Sequence, residues 1–98
     1  MKGGWPLPSL QPAETSDVEA IRRVLDQHAK LPVSVWDLGV VDNLYQAGMT
    51  SHSSVNVMLA LEDELDLEFP ERLLRKPTFA SISSIRLAVD EVRSESAK

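Results

Sequence analysis

Five consecutive residues, Thr50-Ser51-His52-Ser53-Ser54, put four hydroxyls and an imidazole between a Gly-Met turn and an apolar run. A serine in such a place has two ordinary uses. It can attack a carbonyl when a base activates it, or it can satisfy an orphan N–H as a helix cap. The first use lacks its parts. His52 is the next residue and projects elsewhere from a helix, and no third residue is placed by the sequence to orient it. No G-x-S-x-G, Walker A, G-x-G-x-x-G or H-E-x-x-H pattern occurs, and His28 and His52 have no partners at metal-ligand spacing. The chain has no cysteine, which excludes disulfides and thiolate metal sites, so any thiol chemistry must be imported. Capping alone accounts for the richness in hydroxyls, and the residues by themselves do not say which serine carries more.

The elements that position this knot follow from periodicity. Residues 1–14 hold three of the six prolines and two of the four glycines, and are read as a flexible tail whose Trp5 and Leu7 are candidates to pack on a neighbouring surface. Ser16-x-x-Glu19 is a capping-box pattern, followed by Val18, Ile21, Val24, Leu25 and His28 at helical spacing, which predicts a helix over 17–30 stopped by Leu31-Pro32. From 33 to 50 no period holds. A connection of that length in a small domain must be pinned by its apolar residues, be functional, or both.

A second helix is predicted from the hydroxyl knot to about Leu65, with Ser54, Val57, Met58, Leu61 and Leu65 as its core stripe. His52, Val55, Asn56, Leu59, Glu62 and Asp63 then form a mixed apolar and acidic outer edge. Pro70 opens a short helical turn closed by Lys76-Pro77, and Thr78 is the expected cap of a last helix whose stripe is Phe79, Ile82, Ile85, Val89 and Val92. The sum is an all-α small four-helix bundle, three main helices and a short third one, with one folded domain over 15–93 and a polar tail over 94–98.

Composition agrees with a single soluble domain. Of the 98 residues 43% are hydrophobic and 26% charged, enough for a packed core. Fifteen acids against ten bases leave a net charge of −5, which argues against a nucleic-acid partner and for partners that present basic surfaces. No apolar run is long enough for a membrane span or a signal peptide, and a cytoplasmic monomer is expected.

From Leu44 to Val92 the segment "LYQAGMTSHSSVNVMLALEDELDLEFPERLLRKPTFASISSI" and its continuation resemble the acyl carrier protein family: a leucine, a glycine, a signature serine, an apolar helix ending in Leu-Glu, an acidic patch, a proline and a final helix. Thr50 and His52 stand where that family's signature has aspartate and leucine, and the serine-rich version is most similar to the bacterial aminoacyl carrier proteins. The resemblance implies an acyl-carrier-protein-type bundle that is a carrier and not an enzyme, with 4'-phosphopantetheine esterified to Ser51 by a phosphopantetheinyl transferase. It further implies a small amino acid, glycine or alanine, held as a thioester and loaded by an amino acid:[carrier protein] ligase resembling a class II aminoacyl-tRNA synthetase core. The residues expected to meet partners are Met49, Thr50, His52, Val55, Asn56, Leu59 and Glu62. The alternatives are a carrier for fatty-acid, polyketide or peptide synthesis, and a helical adaptor without a prosthetic group.

Overall fold

The computed structural model describes residues 12–96, which form three α-helices and three single 3-10 turns: α1 (Pro12–His28), η1 (Val35–Asp37), α2 (Ser51–Leu65), η2 (Glu71–Leu73), η3 (Lys76–Phe79) and α3 (Ile82–Ser96). Among the described residues there is no strand, and no helix is long and apolar enough to cross a membrane. The all-α class is therefore as expected, with the short third helix reduced to the turns η2 and η3.

Each main helix buries one stripe. Ile21, Val24 and Leu25 of α1, Val57 and Leu61 of α2, and Ile82, Ile85, Val89 and Val92 of α3 interdigitate in one core, closed at one end by Phe69 and Phe79. These two rings meet edge to face with centroids 5.6 Å apart. Burial of each such side chain contributes about 1.5–3 kcal/mol.

Several boundaries differ from those the local signals predict. The first helix begins at Pro12, so Ser16 lies inside it and does not cap it. Proline fits the first helical position because its φ is already helical and its missing N–H would have had no partner. Residues 12–14 of the expected tail are thus helical, while Trp5 and Leu7 lie outside the described residues. The helix stops at His28, where Ala29 N–H still reaches the Leu25 carbonyl at 2.9 Å and Lys30 turns left-handed with φ of 56°, before Pro32 can act. Residues 94–96 of the expected polar tail continue α3.

The start of α3 also moves. Ser81, not Thr78, makes the reciprocal cap: Ser84 N–H donates to Ser81 Oγ and Ser81 N–H donates to Ser84 Oγ, both at 3.0 Å. Thr78 instead belongs to η3, and its carbonyl accepts the Ser84 hydroxyl at 2.9 Å.

The aperiodic connection from 33 to 50 is held from two sides. Arg22 of α1 donates to the carbonyls of Val35 and Leu38, each at 2.8 Å. Leu44 N–H donates to the Ala80 carbonyl at 2.7 Å, and Ser83 N–H to that of Val40 at 2.8 Å, which ties the connection to α3. Val35, Leu44 and Met49 enter the core, whereas Trp36, Val40 and Val41 remain exposed.

At the far end of the bundle, Asp17 is 3% exposed and accepts from Arg93 Nη1 through both carboxylate oxygens at 2.7 Å. The arginine is half in solvent, so the two truncations are unequal. Arg93→Ala leaves a buried carboxylate unpaired and should cost about 2 kcal/mol, more than Asp17→Ala, which leaves a cation that water can reach. Urea titration of both variants checks the order, and equal losses would show that the pair contributes no asymmetry.

Candidate functional site

Ser51 is the first residue of α2, and three features of its surroundings position it. Thr50 is extended, with φ of −92° and ψ of 166°, and its side-chain oxygen accepts Ser53 N–H at 3.0 Å. Its hydroxyl also lies 2.8 Å from that of Ser53, which is buried on the core side. The knot therefore divides its labour. Thr50 and Ser53 cap the helix, Ser54 donates back to the Ser51 carbonyl at 2.7 Å, and Ser51 itself is exposed. Burial of Ser53 in place of Ser54 corrects the expected stripe by one position, because the cap bond draws Ser53 inward.

Below the serine, Gly48 has φ of 124° and approaches Pro32 so closely that a Cβ there would lie 2.6 Å from the proline Cδ. Only glycine fits both the dihedral and the space. Met49 N–H then donates to the Leu44 carbonyl at 2.9 Å, and its side chain is 3% exposed. Met49 was expected among the residues that meet a partner. It is a core residue instead, because the turn at 44–48 folds it under the start of α2.

The other expected contact residues fall on more than one surface. Thr50, His52, Val55 and Leu59 are exposed, and Val55 and Leu59 expose about half of their area, 50% and 53%. Positions 51, 55, 59 and 62 follow at helical spacing along one face of α2. Asn56 is half-buried and, with Leu59, lines a groove between α1 and α2 whose other walls include Gln27, His28, Asp63 and Glu64. Glu62 is half-buried, and one of its carboxylate oxygens accepts Phe69 N–H at 2.9 Å, so it organises the turn that brings Phe69 into the core. Of the acidic run, Glu64 pairs with Arg23 at 3.4 Å across a solvated gap.

On the opposite flank of α2 is a cleft of about 230 Å³ that the local sequence signals do not reveal. Ser51, Ser54, Val55 and Met58 form one wall, and Tyr45, Leu74, Arg75, Lys76 and Phe79 form the other. Lys76 Nζ sits 4.9 Å from the centre of the Tyr45 ring, a cation–π contact that places the ammonium. The Lys76-Pro77 pair reads locally as a stop signal, and only the return of η3 beneath α2 shows it as part of this wall. Among the described residues no cluster of side chains could hold a metal ion.

Comparison with known proteins agrees with this geometry. Residues 19–85 match the family described as the phosphopantetheine attachment site. The chain is 42% identical over 65 residues to the aminoacyl carrier protein of Agrobacterium fabrum, spanning 66% of this chain and 78% of that protein. Among solved structures, it is similar to a chain in the crystal structure of an engineered Bradyrhizobium japonicum glycine:[carrier protein] ligase complexed with a carrier protein from Agrobacterium tumefaciens and AMP. That match has a TM-score of 0.73 and 38% identity, and covers 74% of this chain and 97% of the other. The corresponding complex with ATP gives a TM-score of 0.76 at 37% identity, covering 78% and 99%. A solution structure of an Agrobacterium tumefaciens protein gives 0.67 at 35% identity, covering 83% and 99%. The match runs through the capped knot, the loop that supports it and the start of α3, and on that ground the chain belongs to the family of phosphopantetheine-bearing carrier proteins.

Proposed function

We propose that Ser51 is the attachment point and that the chain carries a small amino acid, glycine or alanine, as a thioester for transfer between enzymes. The observation that supports this most directly is the division of the knot: Ser51 is exposed at the first turn of α2, whereas Ser53 is buried in the cap and Ser54 is turned back onto the helix. The residues present fit the group. The hydroxyl stands at the positive end of a fifteen-residue helix, and the adjoining cleft is lined by Arg75 and Lys76 and by no carboxylate, which suits a phosphodiester. The group supplies the thiol that a chain without cysteine does not encode.

What this chain contributes is position and recognition, not catalysis. Val55 and Leu59 stand out from α2 one and two turns beyond Ser51, with His52 and Thr50 at their head, and form the face that a ligase meets while it charges the arm. Met49 lies beneath this face, and Glu62 holds the turn behind it. The aminoacyl reading is preferred to a long-chain acyl carrier because of the 42% identity to an aminoacyl carrier protein and the likeness to a carrier protein complexed with a glycine:[carrier protein] ligase. A phosphopantetheinyl transferase and an amino acid:[carrier protein] ligase are the partners this reading requires.

The test is thioester formation by the holo protein with ATP and a synthetase-like glycine ligase. Val55→Asp and Leu59→Asp should each lower charging about tenfold or more, the cost of truncating a small apolar anchor at an interface, while helicity is retained. Arg86→Asp, on α3, should charge normally. Equal charging of all three removes the docking face, and efficient loading with malonyl or fatty acyl groups in place of amino acids removes the aminoacyl assignment.

A further inference from the structure

The two flanks of α2 differ in charge. The groove on the α1 side contains Asp63 and Glu64, in keeping with a chain whose net charge is −5. The cleft on the other side has Arg75 and Lys76, and no acidic residue lines it. Its remaining lining is mostly apolar, with Val55, Met58, Leu74 and Phe79. The ammonium of Lys76 also lies over the Tyr45 ring. A cationic edge beside an apolar floor, both adjoining an exposed hydroxyl, is complementary to a ligand that begins with a phosphate and continues as a branched hydrocarbon.

We propose that this cleft is a docking site for the proximal half of the prosthetic arm, with Lys76 and Arg75 holding the phosphodiester and Met58, Leu74 and Phe79 receiving the gem-dimethyl segment next to it. The inference rests on attachment at Ser51 and deepens that reading. Size limits what the site can take. Clefts that enclose a whole drug-sized ligand have about 300–1,000 Å³, and this one has about 230 Å³. The distal amides, the thiol and the cargo therefore lie outside. Charge leads to the same division, since an aminoacyl ammonium would be repelled by Arg75 and Lys76, whereas the phosphodiester is attracted. The tethered half is then restrained and the reactive end remains available, which shortens the search that each partner enzyme must make.

The experiment compares apo and holo protein by amide and phosphorus NMR, after intact-mass analysis has established whether one arm is attached. In the holo wild type, amide shifts should concentrate at Tyr45, Met58, Leu74, Lys76 and Phe79, and the phosphorus signal should relax as part of the folded protein. In Arg75→Gln/Lys76→Gln both effects should be lost, while Lys30→Gln, an exposed cation away from the cleft, should retain them. In the wild type they should also fade toward about 1 M salt, where charges are screened within a few ångströms. Titration of apo protein with inorganic phosphate separates the parts of the site: shifts at Arg75 and Lys76 alone are expected, without those at Met58 and Leu74. Cleft shifts that persist in the double variant overturn the role of the two cations. A freely tumbling phosphorus signal in the loaded wild type overturns the docking site but leaves attachment standing, and absence of any mass gain removes the attachment on which both rest.

Discussion

Ser51→Ala is expected to abolish the addition of a phosphopantetheine group from coenzyme A, whereas Ser53→Ala and Ser54→Ala proteins should still gain it. The expectation follows from where each hydroxyl goes. Ser53 is directed into the cap, 2.8 Å from the Thr50 hydroxyl, and is buried, so a transferase cannot reach it. Its loss should cost about 1 kcal/mol of stability through the broken cap partner and leave the modification intact. Ser54 donates to the Ser51 carbonyl and lines the cleft wall, and its removal likewise leaves the Ser51 hydroxyl in place. Intact-mass spectrometry after incubation with a broad transferase reads all three variants. A mass gain surviving in Ser51→Ala would move the attachment site elsewhere in the knot, and no gain in the wild type would end the carrier reading of this chain.

Gly48→Ala is expected to be the most damaging single substitution in the loop that supports the site. The position combines φ of 124° with a Cβ location 2.6 Å from Pro32 Cδ, so dihedral strain and overlap act together. Pro32 is a closed ring that cannot swing aside, and the hydrogen bond from Met49 N–H to the Leu44 carbonyl prevents the turn from simply moving outward. A loss on the order of 3 kcal/mol is expected, seen as a lower urea midpoint. Because the same turn delivers Thr50 and Ser51 to the start of α2, loading should slow beyond what the unfolded fraction explains. Pro32→Ala should restore part of the stability lost in Gly48→Ala by removing the atom that is struck. An unchanged midpoint in Gly48→Ala would show that the chain relaxes around the turn.

The local signals located the helices and their inner stripes with good accuracy, because a helical period is a property of neighbouring residues. Phe79, Ile82, Ile85, Val89 and Val92 are all buried as their spacing predicts, and α2 spans Ser51–Leu65 as read from its apolar run. The errors are at places where two local signals compete. Ser16-x-x-Glu19 looks like a start, but Pro12 starts the helix earlier. Thr78 looks like a cap, but it lies inside η3 and Ser81 takes the role, since a residue within a 3-10 turn cannot also adopt the non-helical conformation of an N-cap. In the connection from 33 to 50, apolar character does not predict burial: Trp36 and Val41 stay outside while Val35 and Met49 go in, because the connection is pinned to α1 and to the start of α3 with only some of its side chains turned to the core.

The amino-acid sequence by itself determined that this is a small acidic helical domain without cysteine, and that a serine at the head of an apolar helix resembles the attachment point of a carrier. Those conclusions depend on composition and on spacings within one helix, which need no distant partner. Only the tertiary structure decided which hydroxyl is exposed, because the core against which α2 packs buries Ser53 and leaves Ser51 outside. It alone also decided that Tyr45, Leu74, Arg75, Lys76 and Phe79 face Ser51 across a cleft. Leu74 to Phe79 are far from Ser51 along the chain, and their meeting with α2 is set by how α1, α2 and α3 bury a shared core, a balance of many weak contacts that no single stretch of sequence contains.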